Sequence, residues 1–241
     1  IFPAFPNRSE FDIYATMEPA KEVGGDFYDF FLVDEGHLAV VIADVSGKGV
    51  PAALFMVIAK TLIKDHTQAG TTPAEVFSEV NAQLCESNEE GLFVTAWMGV
   101  LEIATGHMVF VNAGHNPPLV RQAGGRFEYM KLRPGFVLAG MEGIRYRSGE
   151  MDLAPGSTLY LYTDGVTEAA NGENELYGEE RLLSVLGAHE DAAPEELLPA
   201  VKADIDAFAG DAPQFDDITM LALKLSGKGN PWKKEGELRW S

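Results

Sequence analysis

Leu38-Ala39-Val40-Val41-Ile42-Ala43-Asp44-Val45-Ser46-Gly47-Lys48-Gly49 runs without a break from an apolar stretch into an aspartate and then a glycine-rich turn. So short an apolar stretch reads as a buried strand. A carboxylate at the tip of such a strand is costly unless it is paired or bound to a cation. Beyond the turn, Pro51 sits just inside a helix start, and residues 52–66 carry apolar side chains at helical spacing with no internal breaker. The face Leu54, Val57, Ile58, Thr61 and Leu62 is expected to pack on the core. Upstream, Asp34-Glu35-Gly36 is a hairpin signal that joins a strand over 26–33 to the one over 38–44.

The same logic extends outward along the chain. Strand patterns at 11–17, 93–103, 107–112, 119–122, 126–131, 158–163 and 218–225 include neighbours joined by short turns such as Ala104-Thr105-Gly106 and Gly124-Gly125. Short turns imply antiparallel pairing, because parallel strands need a crossover of about a dozen residues or more. Helices fall in two blocks, 52–66 with 73–87 and 178–186 with 194–208. Thr72-Pro73-Ala74-Glu75 opens the second helix with a cap, an early proline and an acidic first turn. The order predicts an α+β fold in which two antiparallel sheets pack face to face with helices outside. Residues 1–10 read as a leading arm or linker, 11–225 as one domain, and 226–241, with Trp232 and Trp240, as a polar tail.

Composition narrows the chemistry. The formal net charge is −19, from 37 acidic against 18 basic residues among 241. Such a field repels nucleic acid and anionic lipid, and it attracts divalent cations. An acidic surface also serves plain solubility. The single cysteine, Cys85, excludes an internal disulfide and a cysteine-based zinc site, and on its helix it reads as a small buried apolar residue. No apolar run approaches the roughly 18 residues of a membrane span, and no signal-peptide pattern opens the chain. Because residue 1 is Ile1, the expectation is a domain cut from a longer protein. Its expected compartment is the cytoplasm, whether or not the parent protein is membrane-tethered.

Gly47-Lys48-Gly49 does not make a phosphate loop: no glycine lies five residues before Gly47, and Gly49 stands where Ser or Thr would be needed. What the glycines offer is close backbone approach to something bound. Three further carboxylates stand in comparable places. Asp26 follows Gly24-Gly25, Asp164 closes Leu159-Tyr160-Leu161-Tyr162-Thr163 and precedes Gly165, and Asp216-Asp217 lead into the last strand. Each alone is compatible with an ordinary turn. Together they match what magnesium and manganese prefer, carboxylates, carbonyls and water. Two such ions roughly 3.5–4 Å apart, sharing a carboxylate, activate water toward phosphorus. No Gly-x-Ser-x-Gly elbow offers a competing nucleophile. His115, in a turn before Asn116-Pro117-Pro118, reads either as a loop-holding residue or as a near-site one. His37, His66, His107 and His189 share no metal spacing.

Five segments in order now carry a resemblance. Gly24-Gly25-Asp26-Phe27-Tyr28-Asp29, Ala43-Asp44-Val45-Ser46-Gly47-Lys48-Gly49, Asn112-Ala113-Gly114-His115-Asn116-Pro117, Tyr162-Thr163-Asp164-Gly165-Val166-Thr167-Glu168 and Phe215-Asp216-Asp217-Ile218-Thr219 look like motifs of one family. It is the metal-dependent serine/threonine protein phosphatase superfamily (PPM, type 2C), in its bacterial branch typified by stage II sporulation protein E. The resemblance implies an α-β-β-α sandwich and a centre of two Mn²⁺ or Mg²⁺ ions. Carried over, Asp44 bridges the ions and the Val45 carbonyl helps hold one. Asp26 serves the other, and Asp164 and Asp216 complete the first. Asp217, at a position where relatives often have asparagine, supports rather than ligates, while Gly24, Gly25, Gly47 and Gly165 shape the loops.

The implied activity is attack of metal-activated hydroxide on a phosphoserine or phosphothreonine, with no phosphoenzyme. The implied substrate is a phosphorylated anti-sigma-factor antagonist-type protein, and the implied partner a sensory or regulatory domain in a longer chain. Two departures stand out. Ser46 occupies the place of a histidine that the eukaryotic branch uses, and no arginine stands beside Gly24, so that Lys21 or Lys48 is left for phosphate binding. A degenerate pseudophosphatase acting as a scaffold is the alternative. A metal-dependent nuclease fits poorly with the acidic charge and the missing basic groove.

Overall fold

Strand β3 (His37–Val45) is buried on both faces, and the alternation of its side chains divides the molecule into layers. Leu38, Val40 and Ile42 point into one apolar cluster, while Ala39, Val41 and Ala43 point into another. The computed structural model describes residues 3, 8–86, 88–131, 133 and 135–226. Most of the expected arm, Ser87, and the tail after Ser226 with Trp232 and Trp240 therefore lie outside the described residues.

One sheet runs β2-β3-β4-β5-β8, from β2 (Phe27–Leu32), β3, β4 (Val94–Glu102), β5 (His107–Ala113) and β8 (Gly149–Asp152). The other runs β1-β10-β9-β6-β7, from β1 (Phe11–Glu18), β10 (Ile218–Leu225), β9 (Thr158–Tyr162), β6 (Leu119–Arg121) and β7 (Phe127–Tyr129). All strand pairs are antiparallel. Between the sheets lies the cluster of Phe11, Phe30, Leu38, Ile42, Trp97, Leu159, Leu161 and Leu223. Helices α1 (Val50–His66) and α2 (Pro73–Glu86) cover the outer face of the first sheet. Helices α4 (Gly178–Ala188) and α5 (Pro194–Ala209) cover that of the second, and α3 (Asp164–Thr167) is a single turn after β9. The expected sandwich is the observed one.

Local chemistry explains the helix ends. The Glu75 N–H donates to the Thr72 hydroxyl at 3.3 Å and the Thr72 N–H to the Glu75 carboxylate at 2.8 Å, so two orphan donors are satisfied reciprocally at the start of α2. The phase of α1 is where the sequence expectation fails. Ala52, Phe55, Ala59 and Ile63 are its buried residues, while Leu54 is 62% and Ile58 51% exposed. Both stripes are apolar, and the one with two alanines faces the sheet because it lets helix and strands approach closely. Cys85 also differs: it is only half-buried, 4.0 Å from the Asn81 side-chain oxygen. Strand β8 and the turn α3 were not expected from the pattern.

Candidate functional site

Antiparallel pairing gathers the aspartates. In the β2–β3 hairpin Phe27 pairs with Ala43, so Asp26 before β2 and Asp44 near the end of β3 stand side by side. In the other sheet Met220 pairs with Tyr162, which brings Asp164 at the end of β9 to Asp216 and Asp217 before β10. These two strand-pair mouths open at the same end of the sandwich. They are tied across the sheets by the Thr163 hydroxyl, which donates to the Asp26 carboxylate at 2.7 Å. Thr163 is itself held by the Thr219 N–H at 3.1 Å.

Asp217 acts as a clasp. It is buried, and its carboxylate accepts the N–H groups of Ala20 and Gly25, both at 2.8 Å, and of Asp26 at 3.4 Å. All of these donors lie in the turn leading to Asp26, so that turn is pinned from the far end of the chain. The glycines there are steric necessities. A Cβ on Gly24 would meet the Asp217 carboxylate at 2.1 Å, and one on Gly25 would stand 2.8 Å from the Val45 carbonyl oxygen. Gly165 is equally confined, with the Asp217 carbonyl oxygen 2.0 Å from where its Cβ would be. Gly47 turns the loop after Asp44 with a φ of +86°, in the region that favours glycine.

The electrostatics are those of crowded, partly desolvated acids. Burial pushes the Asp26 carboxyl well above the usual carboxylate range, and the charge of Asp44 adds to it. Asp44 is raised to about 7, by burial first and then by Asp164, with Asp216 and Asp217 contributing. Asp164 is raised by burial, by Glu168 and by Asp216. Against them stands Lys48, whose ammonium is 2.9 Å from Asp216. Among the described residues no three Asp, Glu, His or Cys side chains already form a closed metal cage. The donor set nonetheless fits a hard divalent cation: it is all oxygen, its charges repel one another, and a missing Cβ at Gly25 leaves room beside the Val45 carbonyl.

The remaining candidates fall elsewhere. Ser46 is a pin: its hydroxyl accepts the Phe93 N–H and its own N–H donates to the Phe93 carbonyl, both at 2.9 Å. His115 is buried beside Thr95, with its Nδ1 2.9 Å from the threonine hydroxyl, and burial lowers its pKa to about 4. A neutral, enclosed imidazole on the neighbour of Asp44 (Thr95 pairs with it across β3 and β4) holds the loop. Lys21 is exposed on the turn before Gly24. Thr163 was missed by sequence reasoning, although its place directly before Asp164 is a usable signal.

The family model described as Stage II sporulation protein E (SpoIIE) matches residues 34–226. Protein IcfG of Synechocystis sp. is 32% identical, over 91% of this chain and 39% of its own length. Phosphoserine phosphatase RsbU of Bacillus subtilis is 26% identical, over 91% of this chain and 64% of its own. The chain thus spans less than two thirds of either relative. Among solved structures, the SiaA-PP2C domain of Pseudomonas aeruginosa superimposes with a TM-score of 0.79 at 26% identity, covering 89% of this chain and 86% of that one. The catalytic domain of the serine/threonine phosphatase PstP, in complex with 2 manganese ions, shares the fold, with a TM-score of 0.63 at 13% identity, covering 90% and 99%.

Proposed function

This chain belongs to the Stage II sporulation protein E family, and from that premise we propose that it is the catalytic domain of a metal-dependent phosphoserine/phosphothreonine protein phosphatase in bacterial signalling. The observation that carries the reading is the convergence of Asp26, Asp44, Asp164 and Asp216 at the joined mouths of two strand pairs. Supporting it are the names of relatives, a phosphoserine phosphatase and a PP2C domain among them. The two manganese ions named for PstP support a pair of Mn²⁺ or Mg²⁺ ions here.

In this reading Asp44, Asp26, Asp164, Asp216 and the Val45 carbonyl would hold the ions. When bound, the ions supply a water acidic enough to react at neutral pH and positive charge for the phosphoryl oxygens. The chain does the rest by holding its ligands still. Thr163 orients Asp26, Asp217 fixes the turn over residues 20–26, and the Ser46–Phe93 bonds fix the turn after Asp44. Buried neutral His115 exchanges no proton with substrate in this scheme; it braces Thr95 opposite Asp44. The substrate is a small phosphorylated protein of the anti-sigma-factor antagonist type, and a sensory or regulatory domain of a longer chain governs turnover. The compartment we assign is the cytoplasm. Among the described residues no helix is long and apolar enough to cross a membrane.

Hydrolysis of p-nitrophenyl phosphate and of a phosphoserine peptide, with and without Mn²⁺, tests the activity. Full Mn²⁺-dependent turnover by both Asp44→Asn and Asp164→Asn would end the metal assignment. Preference for a nucleic acid substrate would end the phosphoprotein one.

A further inference from the structure

The loop between β3 and α1 carries Lys48 between two glycines of positive φ, Gly47 at +86° and Gly49 at +84°. That backbone projects the lysine across the site to a segment 167 residues away. There its ammonium donates to the Phe215 carbonyl at 2.7 Å, stands 2.9 Å from Asp216 Oδ2, and lies 4.4 Å from the centre of the Phe215 ring. Phe215 is 80% exposed, so its ring meets the lysine ammonium rather than joining the core. The same charge reaches Asp164 and opposes its upward pKa shift.

Both oxygens of Asp216 already accept a donor. Its Oδ1 accepts the Asp217 N–H at 2.9 Å, a bond fixed by the backbone, and its Oδ2 takes Lys48. Each oxygen can accept a further partner, but a cation that engages Oδ2 meets the positive charge of Lys48 beside it. The lysine is the movable donor, a point charge on a flexible stem. We propose that Lys48 is a built-in counter-cation of Asp216, a positioning residue that holds the metal-free acidic mouth together and is displaced when a divalent ion takes the carboxylate. Metal affinity is thereby set partly by how readily this ammonium leaves. The inference rests on the metal-centre reading above and adds to it a competitor encoded in the chain.

The test is calorimetric titration of Mn²⁺ into the wild-type chain, Lys48→Met, Lys48→Arg and Asp44→Asn, at constant ionic strength. Methionine keeps an apolar stem against Phe215 and removes the charge; arginine keeps the charge. The expected result is about fivefold tighter Mn²⁺ binding by Lys48→Met, from the loss of a like charge beside the ion. Lys48→Arg should bind no more tightly than wild type. Unchanged or weaker binding by Lys48→Met, with wild-type uptake that Asp44→Asn abolishes, overturns the counter-cation role and leaves the metal centre standing. Absence of uptake in the wild type removes both.

Discussion

The two ends of the sandwich hold their carboxylates on opposite terms. At the hairpin end, Asp34 accepts the Gly36 N–H at 2.8 Å and contacts the His37 ring at 2.8 Å, and those bonds lower its pKa. His107, at the same end of the sheet, is likewise met by Asp152 at 2.8 Å, and its pKa rises in consequence. Both of these carboxylates are paired and open to solvent. At the other end Asp26 and Asp44 are pressed together by strand register and their carboxyls are raised, not lowered. The fold satisfies acids easily at one end and leaves them in mutual repulsion at the other, and that contrast is what supports the proposed binding of positive ions at the second end.

The sharpest way to break that contrast is to remove one acid from the crowded end. Asp44→Asn should cost about a thousandfold or more in Mn²⁺-dependent hydrolysis, the scale of losing a key electrostatic element of a site. Its metal-free form should melt no lower than wild type, because a repelling charge has gone. Turnover assays and thermal melts on the same preparation check both halves.

Next in size is the clasp. Asp217→Ala strands buried N–H donors of Gly25 and Asp26, and urea denaturation should record a loss of about 2–4 kcal/mol.

The pH dependence of the metal-free chain sharpens the comparison further. Asp44 has a folded pKa of about 7 against an ordinary 3.8. The folded state therefore holds the proton more tightly, and stability contributed by protonated Asp44 is present below about pH 4 and is lost as pH rises toward 7. Asp26 acts in the same direction. Melting temperature without metal should fall over that window, and saturating Mn²⁺ should remove the fall. A metal-free chain that gains stability from pH 5 to 7 contradicts the crowding described above.

Smallest of all is the change at the hairpin end. Asp34→Asn should leave Mn²⁺-dependent activity and melting temperature within experimental error, since an exposed pair contributes little.

How much of this could be read beforehand follows from the range of the forces involved. Gly24-Gly25-Asp26, Asp44 with its glycine turn, and Asp164-Gly165 are local signals, because strand ends and tight turns announce themselves in a few residues. The antiparallel pairing of β2 with β3, of β4 with β5 and of β6 with β7 followed from short turns for the same reason, whereas the order that sets β10 between β1 and β9 joins segments too far apart to be read from turns. The phase of α1 was not legible: Leu54 and Ile58 are as apolar as Phe55 and Ala59, and only the approach distance to the sheet separates the two stripes. Strand β8, exposed on alternate residues and rich in Gly, Glu and Asp, carries almost no apolar signal. The bonds of Lys48 to Asp216 and of Thr163 to Asp26 join residues 168 and 137 apart, beyond any pattern of spacing.

The Asp217 clasp reaches from the residue before β10 to Gly25, across 192 residues. A polypeptide emerging from the ribosome therefore carries Asp26, Asp44 and Asp164 long before the group that fixes the first of them has been synthesised. Until β10 slots in between β1 and β9, the acids sit on an unfinished scaffold. The proposed centre is therefore completed late, by a contact that closes only when nearly all of the domain has been made.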